Sequence, residues 1–252
     1  MARRAGIGFN EVKDANPDVD VWIPPPGTEV EVPTRRILPA TRQRGIVVNV
    51  PEMRLYLYPQ RTRPGEPVQV RTWAVAIGDR DTPTPRGAFT IRSKDENRPG
   101  TCRRPSPAPS GRDGSCRRGP QPDGRLSHQA VARPVRHPRH RHAVGDRPAD
   151  HARLHPSLPE DIGELYRLVE PRMGGAFVYE PIKLGEQDGR IFVEVHADLY
   201  RRYPSLEREA VRLVRDARLM ARVDPDRLRA AVAAQAGVPV DVTRAVTTAT
   251  AR

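Results

Sequence analysis

The residues most suited to chemistry lie close together in the middle of the chain. Five of the seven histidines fall within residues 136–162, and both cysteines lie a little upstream. These residues are Cys102, Cys116, His137, His140, His142, His151 and His155, with a sixth histidine, His128, between the two groups. Imidazole and thiolate groups serve two kinds of chemistry, metal binding and nucleophilic catalysis.

A metal centre and a nucleic-acid-binding arm both explain this segment poorly. Metal-binding histidines need rigid positions and supporting hydrogen bonds, and the Pro- and Arg-rich surroundings of these histidines offer neither. A basic arm for nucleic acid is expected to contain lysine and interleaved aromatic residues, and residues 101–159 contain none of these. We therefore expect no bound metal, no cofactor and no nucleic-acid partner.

The composition of residues 101–159 differs from that of the rest of the chain. This segment carries 12 Arg and 4 Asp, so it holds +8 of the net charge of +12. It has no Lys, Asn, Ile, Phe, Tyr, Trp, Met or Glu, whereas genuine disordered segments are usually rich in Lys and Glu. Because few large apolar side chains offset the entropy of ordering, we expect the segment to stay unpacked and disordered.

Short strands and turns dominate the chain before this segment. Apolar or alternating runs predict strands at 45–50, 53–59, 68–78 and 87–93. Residues 5–34 predict a small module with a helix at Phe9–Ala15, an Asn-Pro turn and a closing strand at Thr28–Val32. The 252 residues therefore suffice for one substantial domain and a smaller module.

Helices and one hairpin follow the segment. A helix is predicted at 159–169, where Ile162, Leu165, Tyr166 and Val169 share one face. Residues 177–196 predict a hairpin that turns at Asp188-Gly189. Two closing helices are predicted at 205–220 and 224–237, the second with Asp224 as N-cap, Pro225 in its first turn and Gly237 as its stop.

Three strings resemble the L,D-transpeptidase catalytic domain of the YkuD type: GIVVNVPEMRLYLYP, AVAIGDRDTPTPRGAFTI and EPIKLGEQDGRIFVEVH. The middle string is the most specific, since Ile77-Gly78, Thr82-Pro83-Thr84-Pro85, Gly87 and Phe89 keep the family's spacing. The resemblance implies a mainly β, sandwich-like domain over residues 45–200, interrupted by residues 101–159. The helical pair predicted from the residues at 205–237 follows this domain. Residues 5–34 resemble the second half of a LysM peptidoglycan-binding module.

The resemblance also implies an activity. Members of the family cross-link peptidoglycan stem peptides, or attach lipoproteins to them, in the periplasm. A cysteine thiolate attacks the donor peptide, a histidine acts as base, and backbone donors hold the oxyanion. The family keeps these residues in a Ser/Thr-His-Gly-Cys-Ile/Val-Arg string before a helix and an Ile-His-Gly-Thr string upstream.

Neither string occurs in this chain. Cys102 and Cys116 lack the family's neighbours, so we assign no catalytic residue and expect this chain to be inactive. Both strings emerge when the codons are shifted by one base. With suitable synonymous codons, residues 153–159 give Gly-Cys-Ile-Arg-Leu-Tyr-Pro and residues 137–141 give Ile-His-Gly-Thr-Asp.

We interpret residues 101–159 as the translation of wrong reading frames, caused by three single-base deletions. Bases dropped in sequencing and a decaying pseudogene both explain the pattern. The alternative function is that of a non-catalytic peptidoglycan-binding protein that uses only its LysM-like piece. No run of about 18 apolar residues occurs, so we expect no membrane span. The start lacks the apolar core of a signal peptide, and we expect the true start to lie upstream.

Overall fold

The computed structural model describes residues 5–41, 43–59, 67–91, 155–156 and 159–245. Its strands are β1 (Ile46–Asn49), β2 (Arg54–Leu57), β3 (Arg71–Ala76), β4 (Gly87–Thr90), β5 (His155–Pro156), β6 (Gly174–Val178), β7 (Ile182–Gln187), β8 (Arg190–Val195) and β9 (Val240–Asp241). Its helices are α1 (Phe9–Ala15), α2 (Pro159–Leu168), α3 (Leu206–Asp216) and α4 (Pro225–Ala234). The predicted mainly β fold is confirmed.

The larger sheet has the strand order β4-β6-β1-β2-β3-β5. The four strands predicted between residues 45 and 93 all belong to it, and β1 and β2 form an antiparallel pair. Strand β6 runs parallel to β1 and was not predicted as a separate strand. Its start is glycine-rich, and a Cβ on Gly175 would lie 2.3 Å from the ring of Phe89. The bare backbone there lets the aromatic ring pack directly against the strand.

Both faces of the larger sheet are covered. Leu55 and Leu57 of β2 belong to the main core, with Trp73 and, from α2, Leu165. Tyr56, on the opposite face of the same strand, is fully buried as well. The alternation of side chains along β2 therefore separates two packed faces.

The second sheet has three strands and packs against the closing helices. The predicted hairpin is confirmed as β7 and β8, and its turn residues Asp188 and Gly189 have φ angles of 50° and 74°. Positive φ at both positions is the geometry of a type I′ turn, which favours the Asp-Gly pair. Helices α3 and α4 cover this sheet, with Val214 and Leu228 in the shared core.

The two closing helices begin where predicted and end earlier. Asp224 caps α4 by accepting hydrogen bonds from the backbone N–H groups of Asp226 and Arg227. Helix α4 ends at Ala234, because Gln235 already adopts a left-handed conformation with φ 47°. Helix α3 ends at Asp216 rather than near residue 220.

The N-terminal module contains the predicted helix, but the predicted strand at Thr28–Val32 is wrong. These residues have no strand assignment, because no neighbouring strand pairs with them in the described part of the chain. The side chain of Asn16 provides the pairing instead. Its amide accepts from the N–H of Glu31 at 2.7 Å and donates to the Glu31 carbonyl at 2.8 Å.

Most of the segment that we expected to stay unpacked lies outside the described residues. Only residues 155, 156 and 159 of this segment are described. Strand β5 pairs with the edge of β3, and α2 begins at Pro159, where the normal apolar pattern of the chain resumes. Among the described helices, none is long and apolar enough to cross a membrane.

Candidate active site

The candidate site lies at one corner of the larger sheet, where β3, β5 and the start of α2 come together. Strand β5 pairs antiparallel with the end of β3, so that residue 155 lies opposite Ala76 and residue 156 opposite Val75. Helix α2 begins only three residues after β5. A position just before a helix N-terminus favours a thiolate, because the helix dipole and the unpaired N–H groups stabilise negative charge.

The loop between β3 and β4, residues 77–86, borders this corner and is closed by side chains. The N–H of Gly78 donates to Thr84 Oγ1 at 2.9 Å. The Tyr200 hydroxyl donates to the Gly78 carbonyl at 2.6 Å and accepts from the Thr84 N–H at 3.1 Å. A Cβ on Gly78 would lie 2.0 Å from the Thr82 carbonyl oxygen, so the loop requires glycine there.

A second side chain organises the tip of the same loop. Asp79 accepts hydrogen bonds from the N–H and the hydroxyl of Thr82, at 2.7 and 2.8 Å. These bonds lower the pKa of Asp79 below its usual value. The Gly and Thr residues that the sequence singled out here thus fix a closed backbone loop.

Three stacked tyrosines support the loop from the C-terminal side. The ring of Tyr179 lies 5.6 Å from that of Tyr200 and 6.3 Å from that of Tyr203. The Tyr179 hydroxyl donates to Asp198 and accepts from the Tyr200 N–H at 2.8 Å. Burial and the bond to Asp198 raise the pKa of Tyr179, which keeps the phenol protonated. Sequence reasoning missed this group, although the string DLYRRY marked a local concentration of aromatic side chains.

A buried polar cluster lies elsewhere and connects the two sheets. The Lys183 ammonium contacts Glu52 at 2.9 Å and Glu194 at 2.7 Å. Nε2 of His196 lies 2.8 Å from the same carboxylate of Glu194, and the Tyr56 hydroxyl donates to Glu52. Burial alone would raise the pKa of Glu52, but the charges of Lys183 and His196 and the hydrogen bonds outweigh it and lower the pKa to about 2.

This cluster has the donor atoms of a metal site but a poor environment for one. Oxygen or nitrogen atoms of Glu52, Glu194 and His196 lie within 4.8 Å of one another. The Lys183 ammonium already stands between the two carboxylates and supplies the balancing positive charge. A metal ion would have to displace this ammonium into a dry interior, at a high cost in desolvation. We therefore interpret the cluster as an internal ion network, which sequence reasoning missed because its members are distant along the chain.

The histidines and cysteines considered from the sequence are mostly beyond the described residues. Only the backbone of His155, in β5, is described. The others that lie outside the described ranges are Cys102, Cys116, His128, His137, His140, His142 and His151.

Comparison with known proteins bears on the family of this region. Residues 43–157 match the model of the YkuD family, the L,D-transpeptidase catalytic domain. The predicted resemblance to the YkuD catalytic domain is confirmed. The matched region includes the 77–86 loop and β5, and it ends before α2, the second sheet and Tyr200.

Three relatives point to the same family. A probable L,D-transpeptidase ErfK/SrfK of Salmonella typhimurium is 40% identical over 99 residues, which is 39% of this chain and 30% of that protein. The probable L,D-transpeptidase YcfS of Escherichia coli is 35% identical over 99 residues, 38% of this chain and 29% of its own length. The probable L,D-transpeptidase YbiS of Escherichia coli is 46% identical over 56 residues, 22% of this chain and 18% of its own length. The matches span less than a third of each relative.

Proposed function

We propose that the gene for this chain specifies a periplasmic L,D-transpeptidase acting on peptidoglycan stem peptides. We further propose that its catalytic strings lie out of frame within residues 101–159, so that this chain has no nucleophile. One observation carries the proposal. Synonymous codons for residues 153–156 exist that, read one base later, give Gly-Cys-Ile-Arg, with the cysteine formed from the bases of Leu154 and His155.

The proposed cysteine would lie close to β5, β3 and the start of α2. The cysteine of the restored frame would stand at the start of β5, next to the end of β3 and just before α2. The restored strings place Tyr-Pro directly before Glu160, where the chain continues normally into the helix. A cysteine at this position would lie beside the edge of β3 and shortly before a helix, and these surroundings support the proposal.

The chemistry of the restored enzyme would follow in two acyl transfers. The thiolate adds to the carbonyl carbon of a donor stem peptide, the amide C–N bond breaks, and the leaving amine takes a proton from the histidine. An amine of the acceptor then attacks the thioester, gives up a proton to the histidine and releases the thiolate. Without a thiolate no acyl-enzyme forms, so this chain is expected to be inactive.

The N-terminal module is proposed to be a partial LysM-like piece that brings the protein to the wall. Its helix is fixed to the catalytic domain by a buried ion pair. Arg54 of β2 donates to Glu11 of α1 through Nε at 2.8 Å and through Nη2 at 2.5 Å. Such a pair would hold a wall-binding segment in one orientation relative to the active site.

The nucleotide sequence encoding residues 95–165 tests the proposal. It requires a GG-ending codon for Arg153, CTG for Leu154, CAT for His155 and CCA for Pro138. Shifted frames that spell Ile-His-Gly-Thr and Gly-Cys-Ile-Arg without stop codons support the proposal. Stop codons or unrelated residues overturn it and favour a catalytically inactive, wall-binding homologue.

Acylation supplies the functional test. The chain with its frame restored should form a mass-resolved adduct with a tetrapeptide donor or with a carbapenem, and the present chain should form none. An adduct on Cys102 or Cys116 of the present chain would contradict the assignment of the nucleophile.

A further inference from the structure

We propose that Tyr200 is a positioning residue of the acyl-transfer site. Its hydroxyl holds residues 78–84 in the shape that receives the donor peptide. The residues after the matched catalytic domain thereby become part of the active-site apparatus. This inference rests on the proposed function, because it assigns the loop to that reaction.

The hydroxyl of Tyr200 takes the place of a direct backbone pairing. It donates to the carbonyl of Gly78 and accepts from the N–H of Thr84, so it bridges the two ends of the loop. The third closing bond runs from the Gly78 N–H to the Thr84 hydroxyl. Two of the three bonds that close the loop therefore pass through a single side chain from the C-terminal part of the chain.

Tyr200 is itself fixed in place. Its N–H donates to the Tyr179 hydroxyl, and the two rings stack. Asp198 anchors the same segment by accepting from the N–H of Arg202 at 3.0 Å and from that of Tyr203 at 2.7 Å. A second link to the loop comes from Arg80, whose Nε donates to the Leu199 carbonyl at 2.9 Å.

The loop leaves β3 next to the proposed position of the nucleophile. Ala76 pairs with residue 155, and Gly78 follows two residues later. Pro83 and Pro85 already restrict the loop before the hydroxyl closes it. A loop that is already ordered loses little conformational entropy when it binds its substrate. The two bonds from the Tyr200 hydroxyl to Gly78 and Thr84, here called the clamp, should therefore act mainly on donor binding.

The hydroxyl of Tyr200 can be removed by substitution, and the same tyrosine stack offers a matched control. Tyr200→Phe keeps the ring and removes both loop bonds. Tyr203→Phe also removes a hydroxyl from the stack, but that hydroxyl donates to the Tyr179 carbonyl at 3.3 Å and does not touch the loop. In the present chain, amide exchange of Thr84 should accelerate about tenfold or more in Tyr200→Phe and stay unchanged in Tyr203→Phe. Unchanged exchange in Tyr200→Phe would overturn the clamp.

Kinetics of the chain with its frame restored separate positioning from folding. Tyr200→Phe should raise KM for the donor peptide about tenfold and lower kcat by less than that. A merely structural role would lower the folded fraction, so that kcat falls and KM stays constant, and that result would overturn the inference. If Tyr200→Phe does not fold, Thr84→Val serves as the second variant, because it removes the bond from the Gly78 N–H and leaves both Tyr200 bonds in place. It should raise KM less than about twofold, and a rise of about tenfold would assign the shape of the loop to Thr84 and overturn the inference.

The two proposals fail in different ways. If the restored parent forms no acyl-enzyme, the proposed function is wrong, and so is a positioning role in that reaction, even where Thr84 exchange confirms the clamp. If the restored parent is active and Tyr200→Phe leaves its KM unchanged, the proposed function stands and the role of Tyr200 is wrong.

Discussion

The buried ion network and the loop at the candidate active site are built in opposite ways. In the network, Glu52, Lys183 and Glu194 are 2%, 3% and 0% exposed, and each charge is balanced by another side chain. In the loop, neutral hydroxyl and backbone groups close a partly exposed turn, with Tyr200 at its centre. The ionisable groups of the network are therefore out of reach of a substrate.

A shifted pKa does not by itself separate the two regions, since hydrogen bonds to Thr82 also lower the pKa of Asp79 in the loop. The low pKa of Glu52 arises in an interior salt-bridge network that joins the two sheets. The candidate site depends instead on backbone geometry near an exposed edge. Mutations in the two regions should therefore differ in kind, with changes in stability at the network and changes in local order at the loop.

The largest effect is expected from Lys183→Met. Removal of the ammonium takes away the cation that both buried carboxylates share and leaves only Arg36, 3.8 Å from Glu52, and His196 beside Glu194. This loss should cost about 3–5 kcal/mol of the free energy of unfolding. The exposed pair of Arg229 and Asp226 provides the control, and Arg229→Met should cost less than about 1 kcal/mol. Urea titrations of both variants measure the difference. Similar losses in the two would show that the buried network has no special importance.

The pH dependence of stability should be dominated at its acidic end by Glu52. Its pKa in the folded chain, about 2, lies below its ordinary value of 4.5. The ionised carboxylate therefore contributes stability that is fully present above about pH 4.5 and is lost as the pH falls towards 2. Glu52→Gln should flatten the curve of unfolding free energy between these values. Parallel curves for the two proteins would contradict this assignment.

Substitutions in the loop should change the free energy of unfolding less than substitutions in the network, and Gly78 is the position with the larger effect. Gly78→Ala forces a methyl group into the Thr82 carbonyl and should destabilise the chain by about 1–3 kcal/mol. Gly163 in α2 is the matched control, since a Cβ there meets no atom within 4 Å. Gly163→Ala should stabilise the helix by about 0.5–1 kcal/mol. Thermal unfolding of the two variants should therefore shift in opposite directions.

The smallest effect is expected from Asp79→Ala at the exposed tip of the loop. The change removes the two hydrogen bonds to Thr82 and should accelerate exchange of the Thr82 amide without moving the unfolding midpoint. Asp81→Ala removes a neighbouring exposed carboxylate and should leave that amide unchanged. A drop in overall stability with Asp79→Ala would mean that the loop is coupled to the core more tightly than proposed.

Elements whose signals are local were predicted well from the sequence. The Asp188-Gly189 turn, the Asp224 cap and the helix at Phe9–Ala15 each depend on neighbouring residues, so a short window of sequence contains the whole signal. The family strings were recognisable for the same reason, since Gly78 and Thr82-Pro83-Thr84-Pro85 form one continuous loop. The predicted strand at Thr28–Val32 failed because a strand requires a partner, and extended residues do not specify one.

The sequence by itself determined the catalytic-domain resemblance, the order of the main elements and the absence of the family's catalytic strings from this chain. The tertiary structure alone decided the parallel pairing of β6 with β1, the ion network around Lys183 and the bridge from Tyr200 to the loop. Each of these joins residues more than 100 positions apart. Such contacts form only when the folded backbone brings distant side chains within hydrogen-bonding range, and no local pattern of residue types reports them.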